Sequence, residues 1–355
     1  MQPKRNWKVD SPGLRAVLGS QRPKQGRGAG IHFALLHVQS AASRGRLAVR
    51  KQSETMSNLF ASAILFLACF VASAQSTPDY KRIEDVIYGR KFGTALTLDV
   101  IQPVNTNNGL GIVFMVSGGF FSSHEAISPV SYRPFLNRGY TVFAVVHGSQ
   151  PKFTITEIET DIHRAVRFIR YNASKYGVDP NRLGITGGSA GGHLSLTMGT
   201  QGSKGDANAK DPIDRESSEL QCVACFFPPT DFLNYGKPGE DAVGVGTLKG
   251  FKAAFGPRSD SAEERQKLGR EISPIYFVHS NMPPMLIIHG DADTLVPIYQ
   301  AQMFVKRCEE VSSPAKLVVR EGKNHGWPEM GKDMELFADW FDEHLKARKT
   351  AAAKK

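Results

Sequence analysis

The stretch Leu183-Gly184-Ile185-Thr186-Gly187-Gly188-Ser189-Ala190-Gly191-Gly192-His193 decides the fold. It starts as a short apolar run, which predicts a buried strand from Arg182, and it continues into a helix-like sequence over 193–198. Between the two lies the pattern G-x-S-x-G, with Ser189 at its centre. A sharp strand-to-helix turn would expose the serine hydroxyl, and the small neighbouring residues would allow other backbone to approach closely. We therefore predict that Ser189 is a nucleophile rather than part of an ordinary turn.

Short apolar runs alternate with longer amphipathic ones on both sides of this stretch. The pattern predicts further strands at 86–89, 95–100, 111–116, 140–146, 220–227, 285–288 and 316–319, and helices at 155–176, 261–270, 298–311 and 334–347. Such alternation is typical of an α/β protein with a mostly parallel sheet, helices on both faces, and functional loops at the carboxyl ends of the strands. Residues 202–219 are predicted to be a polar loop. Residues from about 233 to 280 are predicted to be a small lid insertion over the site.

The positive charge of the chain is concentrated at its N terminus. The net charge of +10 would ordinarily suggest a nucleic-acid partner or an acidic surface. Residues 1–55 carry 11 Lys and Arg against Asp10 and Glu54, and residues 56–74 carry no charge. The remaining 33 basic and 32 acidic residues nearly cancel. We therefore predict no nucleic-acid partner for the main part of the chain.

The N-terminal segment resembles a targeting sequence. Residues 61–71 form an apolar run that is short for a membrane span, and Ala72-Ser73-Ala74 matches a small-residue cleavage site. We predict a signal peptide over 56–74, cleaved after Ala74, and a secreted or periplasmic protein with no membrane span after cleavage. Residues 1–55 are then a non-native or disordered extension ahead of a start at Met56. A membrane anchor and a lipoprotein attached at Cys69 are the alternatives.

Two of the cysteines, Cys222 and Cys225, form a C-x-x-C pattern. No second pair and no histidine cluster accompany it, so a zinc site is not predicted. In a strand these two side chains would point to opposite faces, which favours small core residues over a redox pair. The export signal leaves a disulfide as an alternative.

Two loops that follow predicted strands complete a possible catalytic set with Ser189. Asp293 lies in the loop after one strand, and His325 lies in the loop after the next. The order Ser…Asp…His along the chain is that of α/β-hydrolases. His325 would take the serine proton, and Asp293 would hold the imidazole in the required tautomer. Asp291 competes with Asp293 for this role.

Two other histidines, His193 and His289, are predicted to be structural. The loop Ser117-Gly118-Gly119-Phe120 follows another strand, where backbone N–H groups could stabilise a developing oxyanion. We expect the donors to be Gly119 or Phe120 together with Ala190.

These motifs together resemble the esterase/lipase group of α/β-hydrolases, particularly its secreted branch related to acetyl-xylan and feruloyl esterases and to hormone-sensitive-lipase-like enzymes. The matching motifs are Gly187-Gly188-Ser189-Ala190-Gly191-Gly192, Asp293-Thr294-Leu295-Val296-Pro297 and Asn324-His325-Gly326, and the resemblance covers about 82–347. The family's usual His-Gly-Gly-Gly loop is here Ser117-Gly118-Gly119-Phe120. In the family that His organises the loop, so Ser117 puts the loop geometry in question, but activity is still expected.

The sequence therefore predicts a secreted serine esterase without a metal or other cofactor. Its substrates would be small-molecule or glycan esters with a short acyl group, hydrolysed through an acyl-enzyme on Ser189. One alternative is a serine peptidase of the prolyl-oligopeptidase type, which usually carries a large N-terminal propeller. A second alternative is a binding protein that keeps the fold without turnover. The oligomeric state is not predicted.

Overall fold

An eight-stranded sheet forms the centre of the protein, whose computed structural model describes residues 79–346. The strands are β1 (Tyr80–Lys91), β2 (Thr94–Pro103), β3 (Gly111–Met115), β4 (Thr141–Val146), β5 (Leu183–Gly188), β6 (Cys222–Phe226), β7 (Met285–Gly290) and β8 (Ala315–Arg320). Their order across the sheet is β1-β2-β4-β3-β5-β6-β7-β8. The pairs β1–β2 and β2–β4 are antiparallel, and all other neighbours are parallel. The predicted mostly parallel α/β sheet is confirmed.

Seven α-helices connect or flank these strands within the described residues. They are α1 (Arg133–Leu136), α2 (Ile155–Tyr171), α3 (Ala190–Gln201), α4 (Lys252–Phe255), α5 (Ala262–Ile272), α6 (Tyr299–Glu310) and α7 (Met330–Phe341). Short 3₁₀ turns lie at His124–Ala126, Pro129–Tyr132, Ala173–Tyr176, Pro212–Arg215, Gly246–Phe251, Pro257–Asp260 and Pro274–Phe277, and α7 continues as a π-helical turn over Asp342–Lys346. Within residues 79–346, none of the helices is long and apolar enough to cross a bilayer.

The two faces of the sheet bury separate apolar clusters. On one face, strand residues such as Val113 and Ile185 pack against α2, α3 and α6. On the other face, strand residues such as Ile112 and Ala224 pack against α1 and α7. Alternate residues of a strand point to opposite faces, so a strand buried on both sides must be apolar at every position. The continuous apolar runs of the sequence therefore correspond to the central strands.

Several predicted boundaries differ from the observed ones. The helix predicted over 155–176 ends at Tyr171, and a separate 3₁₀ turn follows and is closed by Gly177 at a φ of 64°. Glycine adopts this left-handed conformation without the steric cost of a side chain. The helix predicted over 334–347 begins four residues earlier, at Met330, where Lys332 and Met330 already bond to the preceding turn. The predicted polar loop over 202–219 contains a short 3₁₀ turn.

The predicted N-terminal extension, the signal peptide, Cys69 and the C-terminal end of the predicted domain at residue 347 lie outside the described residues. The segment proposed as a lid lies inside them. Between residues 233 and 280 it forms short helices and irregular turns, and its buried side chains, among them Val243, Phe255 and Leu268, belong to the cluster that covers α2 and α3. It therefore packs on the main core at the side of the sheet that carries α3.

Candidate active site

Ser189 lies at the sharp turn between β5 and α3. Its backbone has φ 55° and ψ −119°, a conformation that side-chain-bearing residues rarely adopt. Such a conformation costs of the order of 1–3 kcal/mol and persists only where the surroundings enforce it. Here the Ser189 N–H donates to the Phe226 carbonyl (3.1 Å), and the Ser189 carbonyl accepts from the His193 N–H (2.8 Å). These bonds hold the serine hydroxyl beyond the carboxyl end of the sheet.

The glycines around Ser189 are required by close backbone contacts. A Cβ atom on Gly187 would lie 2.6 Å from the carbonyl carbon and oxygen of Gly191. A Cβ on Gly191 would lie 2.8 Å from the Met115 carbonyl oxygen, and one on Gly192 would lie 2.7 Å from that of Phe226. The turn is therefore packed against β3 and β6 by backbone alone, which explains the G-x-S-x-G-G pattern.

The structure brings Ser189, His325 and Asp293 into one hydrogen-bonded chain. The Ser189 Oγ is 2.9 Å from His325 Nε2, and His325 Nδ1 is 2.7 Å from Asp293 Oδ2. The loops that carry Asp293 and His325 follow the adjacent parallel strands β7 and β8. They are joined by a hydrogen bond from the Ala292 N–H to the Lys323 carbonyl (3.0 Å). The adjacency of β7 and β8 therefore brings Asp293 to His325, and the loop after β8 places the His325 ring against Ser189, 136 residues away along the chain.

The Asp293 carboxylate is buried and accepts hydrogen bonds from several groups. Its Oδ1 accepts from the N–H groups of Leu295 (2.9 Å) and Val296 (2.8 Å). Its Oδ2 lies 3.4 Å from His289 Nε2, in addition to the contact with His325. Burial by itself would raise the pKa of Asp293, but the hydrogen bonds from His289, His325 and Val296 outweigh it and hold that pKa well below its usual range. Asp293 is therefore an anion at neutral pH, and His325 Nδ1 carries the proton that it accepts.

The competing acid and the two other histidines lie elsewhere. Asp291 is exposed, and its Oδ1 accepts the Gly322 N–H (2.6 Å) instead of contacting His325. His193 is fully buried beneath the turn, with Nδ1 3.1 Å from the Pro229 carbonyl. His289 is also fully buried, and its Nε2 bonds to the Val296 carbonyl (2.8 Å) while it faces Asp293. The position of His289 beside the carboxylate was not predicted from the sequence.

The residues predicted as oxyanion donors line the same cavity as Ser189 and His325. Gly119 and Phe120 both have positive φ, 55° and 64°. Ala190 is the first residue of α3, where N–H groups have no partner within the helix. The Phe251 side chain packs over Gly119, where a Cβ would lie 2.4 Å from its ring. All three predicted donor residues thus line the cavity that contains Ser189.

This cavity has a volume of about 670 Å³ and is mainly apolar. Its walls come from the loop after β3, from the turn at Ser189, and from the segment 233–280 through Tyr235, Leu248 and Phe251. The polar side chains in the lining are those of Ser117, Ser189, Tyr235 and His325, and none of the lining residues is an acid, a lysine or an arginine. The Tyr235 hydroxyl already donates to the Leu295 carbonyl (3.1 Å). The cavity therefore suits an uncharged, apolar group.

Two other groups of residues have the composition of metal or redox sites. Cys222 and Cys225 are both buried, but they belong to the clusters on opposite faces of the sheet, so they cannot converge on one ion or bond to each other. Glu84, Asp99 and His124 place one ligand atom each within 4.8 Å of the others. The Asp99 carboxylate is engaged by the Arg82 guanidinium at 2.5 Å and 2.6 Å and by the Asp85 N–H at 3.0 Å. This group is an ion-pair network at the start of the sheet.

Some residues of the site were not found from the sequence. Tyr235 and Phe251 lie in the cavity wall, although only their segment was predicted to cover the site. His147 and Gln150, in the loop after β4, contact the loop that carries Gly119 and Phe120. The one available signal was that this loop also follows a predicted buried strand. Nothing in the residue types around positions 147–150 indicates which neighbouring loop they contact.

The class of protein follows from these observations. A sheet of this strand order, a strained serine at a strand-to-helix turn, and a Ser–His–Asp chain formed by loops after the parallel strands β5, β7 and β8 define the α/β-hydrolase fold. The fold class predicted from the sequence is confirmed.

Comparison with known proteins identifies the family within this class. The chain belongs to the BD-FAE family, whose family model matches residues 98–308. It is 26% identical over 240 residues to a protein named probable carboxylic ester hydrolase LipM from Mycobacterium tuberculosis, covering 66% of this chain and 53% of the relative. It is 25% identical over 271 residues to the isoprenylcysteine alpha-carbonyl methylesterase ICME of Arabidopsis thaliana, covering 74% of this chain and 61% of the relative. This chain spans about half the length of the curated relatives it matches.

Two solved structures of esterases share the fold of this chain. A truncated carbohydrate esterase from gut microbiota is similar with a TM-score of 0.64 and 26% identity, covering 76% of this chain and 99% of that one. The native structure of esterase Est2 from Thermogutta terrifontis is similar with a TM-score of 0.58 and 24% identity, covering 75% of this chain and 92% of that one. The predicted membership of the esterase group of α/β-hydrolases is confirmed.

Proposed function

We propose that this protein is a secreted serine esterase that hydrolyses carboxylic esters through an acyl-enzyme on Ser189. The observation that carries the proposal is the continuous hydrogen-bonded chain from Ser189 Oγ through His325 to Asp293, with distances of 2.9 Å and 2.7 Å. The relatives named as esterases and carboxylic ester hydrolases support the reaction type. A serine peptidase has no comparable support among these relatives.

Each step of the proposed reaction uses one of these groups. Because Asp293 accepts the Nδ1 proton of His325, Nε2 is free to accept the Ser189 proton as Oγ attacks the carbonyl carbon of the ester. The negative oxygen that forms would accept hydrogen bonds from the N–H groups of Ala190 and of Gly119 or Phe120. His325 then protonates the leaving alcohol, and a water molecule activated by His325 hydrolyses the acyl-enzyme. The proposed reaction uses side chains, backbone N–H groups and water, and it requires no cofactor.

The lining of the cavity supports different binding places for the acyl part and the alcohol part of the ester. Its apolar lining of about 670 Å³ would accept the acyl group, which we propose to be short. Because the lining offers few polar side chains that are not already bonded, the hydroxyl groups of a sugar would remain outside it. A carbohydrate ester, as suggested by the similar carbohydrate esterase structure, would therefore bind with its sugar at the entrance. The segment 233–280 would act as a lid that shapes this cavity.

The test is hydrolysis of p-nitrophenyl acetate, butyrate and octanoate by the full chain, together with labelling by a fluorophosphonate probe. We expect activity that falls with acyl length, and its loss together with loss of labelling in Ser189→Ala. Ser174→Ala, a substitution of an exposed serine outside the site, should change neither. Absence of both hydrolysis and labelling in the wild type would refute the proposal and favour a non-catalytic binding protein.

Export is part of this proposal, and so is the division of the chain into an extension over 1–55, a signal peptide over 56–74 and a hydrolase domain over 82–347. The apolar run that ends in Ala72-Ser73-Ala74 supports it. N-terminal sequencing of the exported protein should give a start near Gln75. A mature protein that begins well away from this position would overturn the proposed cleavage site.

A further inference from the structure

The loop after β3, residues 117–122, is bonded to the loop after β4, residues 147–150, at several points. The Ser117 hydroxyl is 2.8 Å from His147 Nε2. The Gln150 side-chain amide donates to the Gly119 carbonyl, and the Gln150 N–H donates to the Phe120 carbonyl at 3.1 Å. These contacts involve the very residues proposed to form the oxyanion hole, so the second loop is in a position to set their geometry.

The direction of the bond between Ser117 and His147 follows from the surroundings of the imidazole. His147 is 3% exposed, and its Nδ1 lies 2.8 Å from the Gly148 carbonyl, which can only accept. Nδ1 therefore carries the proton. Burial lowers the pKa of His147 to about 4, so the ring is neutral at physiological pH and Nε2 is an acceptor. The Ser117 hydroxyl is thus the donor, and the hydrogen bond runs only from Ser117 to His147.

The bonds made by the carbonyl groups determine where the proposed donors point. In a trans peptide the C=O and the following N–H lie in one plane and point in opposite directions. The Gly119 carbonyl shares its peptide with the Phe120 N–H, so the bond from Gln150 orients that N–H away from the second loop. The Gly118 carbonyl shares its peptide with the Gly119 N–H, and it accepts from the Phe121 N–H at 2.9 Å. Both candidate N–H groups are therefore fixed through the carbonyl on the other side of the same peptide.

The backbone of this loop needs such support. Phe120 has a φ of 64°, which is rare for a residue with a large side chain, and Gly119 before it has a φ of 55°. Without partners for the carbonyl groups, the chain would relax toward commoner conformations and turn these N–H groups away from the serine.

We propose that Ser117, His147 and Gln150 form a hydrogen-bonded clamp that positions the oxyanion hole, in place of the histidine that the esterase family usually carries at the position of Ser117. They are positioning residues and act through the backbone of Gly119 and Phe120. This inference rests on the proposed esterase function. It predicts that loosening the clamp impairs the transition state more than the binding of the ester.

The test uses Ser117→Ala and Gln150→Met in the full chain, with active sites counted by a fluorophosphonate probe. Displacing a catalytic group by about 1 Å can cost 10²-fold in rate, and losing one oxyanion donor costs about 10²–10³ in kcat. We therefore expect each variant to lower kcat about 10- to 100-fold with little change in KM. Ser117→Thr keeps the hydroxyl and should retain most of the kcat. A trifluoromethyl ketone, which forms a tetrahedral adduct with the serine, should bind more weakly by about the same factor as kcat/KM falls.

A second histidine–serine pair provides the matched control. His163 Nδ1 is 2.9 Å from the Ser218 hydroxyl, and burial also lowers the pKa of His163 to about 4. This pair joins α2 to the segment before β6, away from the residues that line the cavity. Ser218→Ala removes a histidine–serine bond, together with the bonds of the Ser218 hydroxyl to the Ser203 backbone, and should lower stability without changing kcat or the affinity for the ketone.

The outcomes distinguish this inference from the function on which it rests. An active wild type in which Ser117→Ala and Gln150→Met keep kcat within about twofold would overturn the clamp and leave the esterase intact. Equal losses in Ser117→Ala and Ser218→Ala would also overturn it, since they would reflect stability alone. A wild type without hydrolysis or probe labelling would instead refute the esterase proposal.

Discussion

Replacing Gly187 by alanine tests whether close backbone packing holds the serine in place. The added Cβ would lie 2.6 Å from the carbonyl carbon and oxygen of Gly191, about 0.8 Å closer than the lower limit of ordinary contact at 3.4 Å. Gly191 has little room to move, because it is also packed against the Met115 carbonyl oxygen, which a Cβ on Gly191 would approach to 2.8 Å. The strain therefore falls on two backbone segments and no flexible side chain can absorb it.

The expected loss of stability in Gly187→Ala follows from this geometry. Overpacking typically costs about 1–3 kcal/mol, and a contact between two backbones belongs at the upper end. About 3 kcal/mol corresponds to a Tm lower by about 6–12 °C for a domain of this size. A displacement of Ser189 by even part of the 0.8 Å would also lower kcat, since about 1 Å can cost 10²-fold.

The assay is thermal unfolding of the purified variant, with ester hydrolysis measured well below its Tm. Gly331→Ala is the matched control, because a Cβ there meets no atom within 4 Å and the residue lies inside α7, where alanine is favoured. Its Tm should be unchanged or slightly higher. If Gly187→Ala and Gly331→Ala had the same Tm and the same kcat, the account of the glycine pattern would be wrong.

Four further predictions concern the catalytic acid, its effect on stability at low pH, the cavity wall and the buried cysteines. Asp293→Asn should lower kcat by about 10⁴-fold, because an amide donor facing His325 favours the wrong tautomer. Asp291→Asn should keep kcat within about twofold of the wild-type value. Because the pKa of Asp293 is lowered in the folded state, its contribution to stability is present above the pKa of an unfolded aspartate and is lost as the pH falls. The difference in unfolding free energy between wild type and Asp293→Asn, measured by urea titration, should therefore narrow toward pH 3. A difference that stays constant with pH would contradict this. Phe251→Ala removes part of the cavity wall and should raise the ratio of octanoate to acetate hydrolysis. An unchanged ratio would mean that the segment 233–280 does not determine the preference for acyl length. Burial raises the pKa of the thiols of Cys225 and Cys308, so neither should react with a thiol reagent at pH 8 until the protein is unfolded, as peptide mapping of the labelled protein would reveal.

The architecture was largely predictable because its determinants are local. A strand that is buried on both faces must be apolar throughout, so runs such as 111–116 and 285–288 stand out in the sequence. The turn at Ser189 has a local signature as well, since its glycines are imposed by contacts at fixed positions around the serine. Helix ends were predicted less well. At Tyr171 the end depends on a turn closed by Gly177, which the periodicity of apolar residues does not reveal.

The partners of the site residues depended on the tertiary structure. The sequence alone identified a serine, an acid and a histidine in the right order, and it left Asp291 and Asp293 as alternatives. Only the fold shows that the turn after β7 directs Asp293 toward His325 and Asp291 toward the Gly322 N–H.

The same holds for the contacts that support the loop 117–122, which carries the proposed oxyanion donors. The sequence alone showed that Ser117 stands where related enzymes have a histidine. Only the order of the strands, which places β4 beside β3, shows that His147 and Gln150 bond to that loop. The physical reason is that strand and helix patterns arise from neighbours along the chain, whereas a hydrogen bond between two loops depends on which strands the folded sheet places side by side.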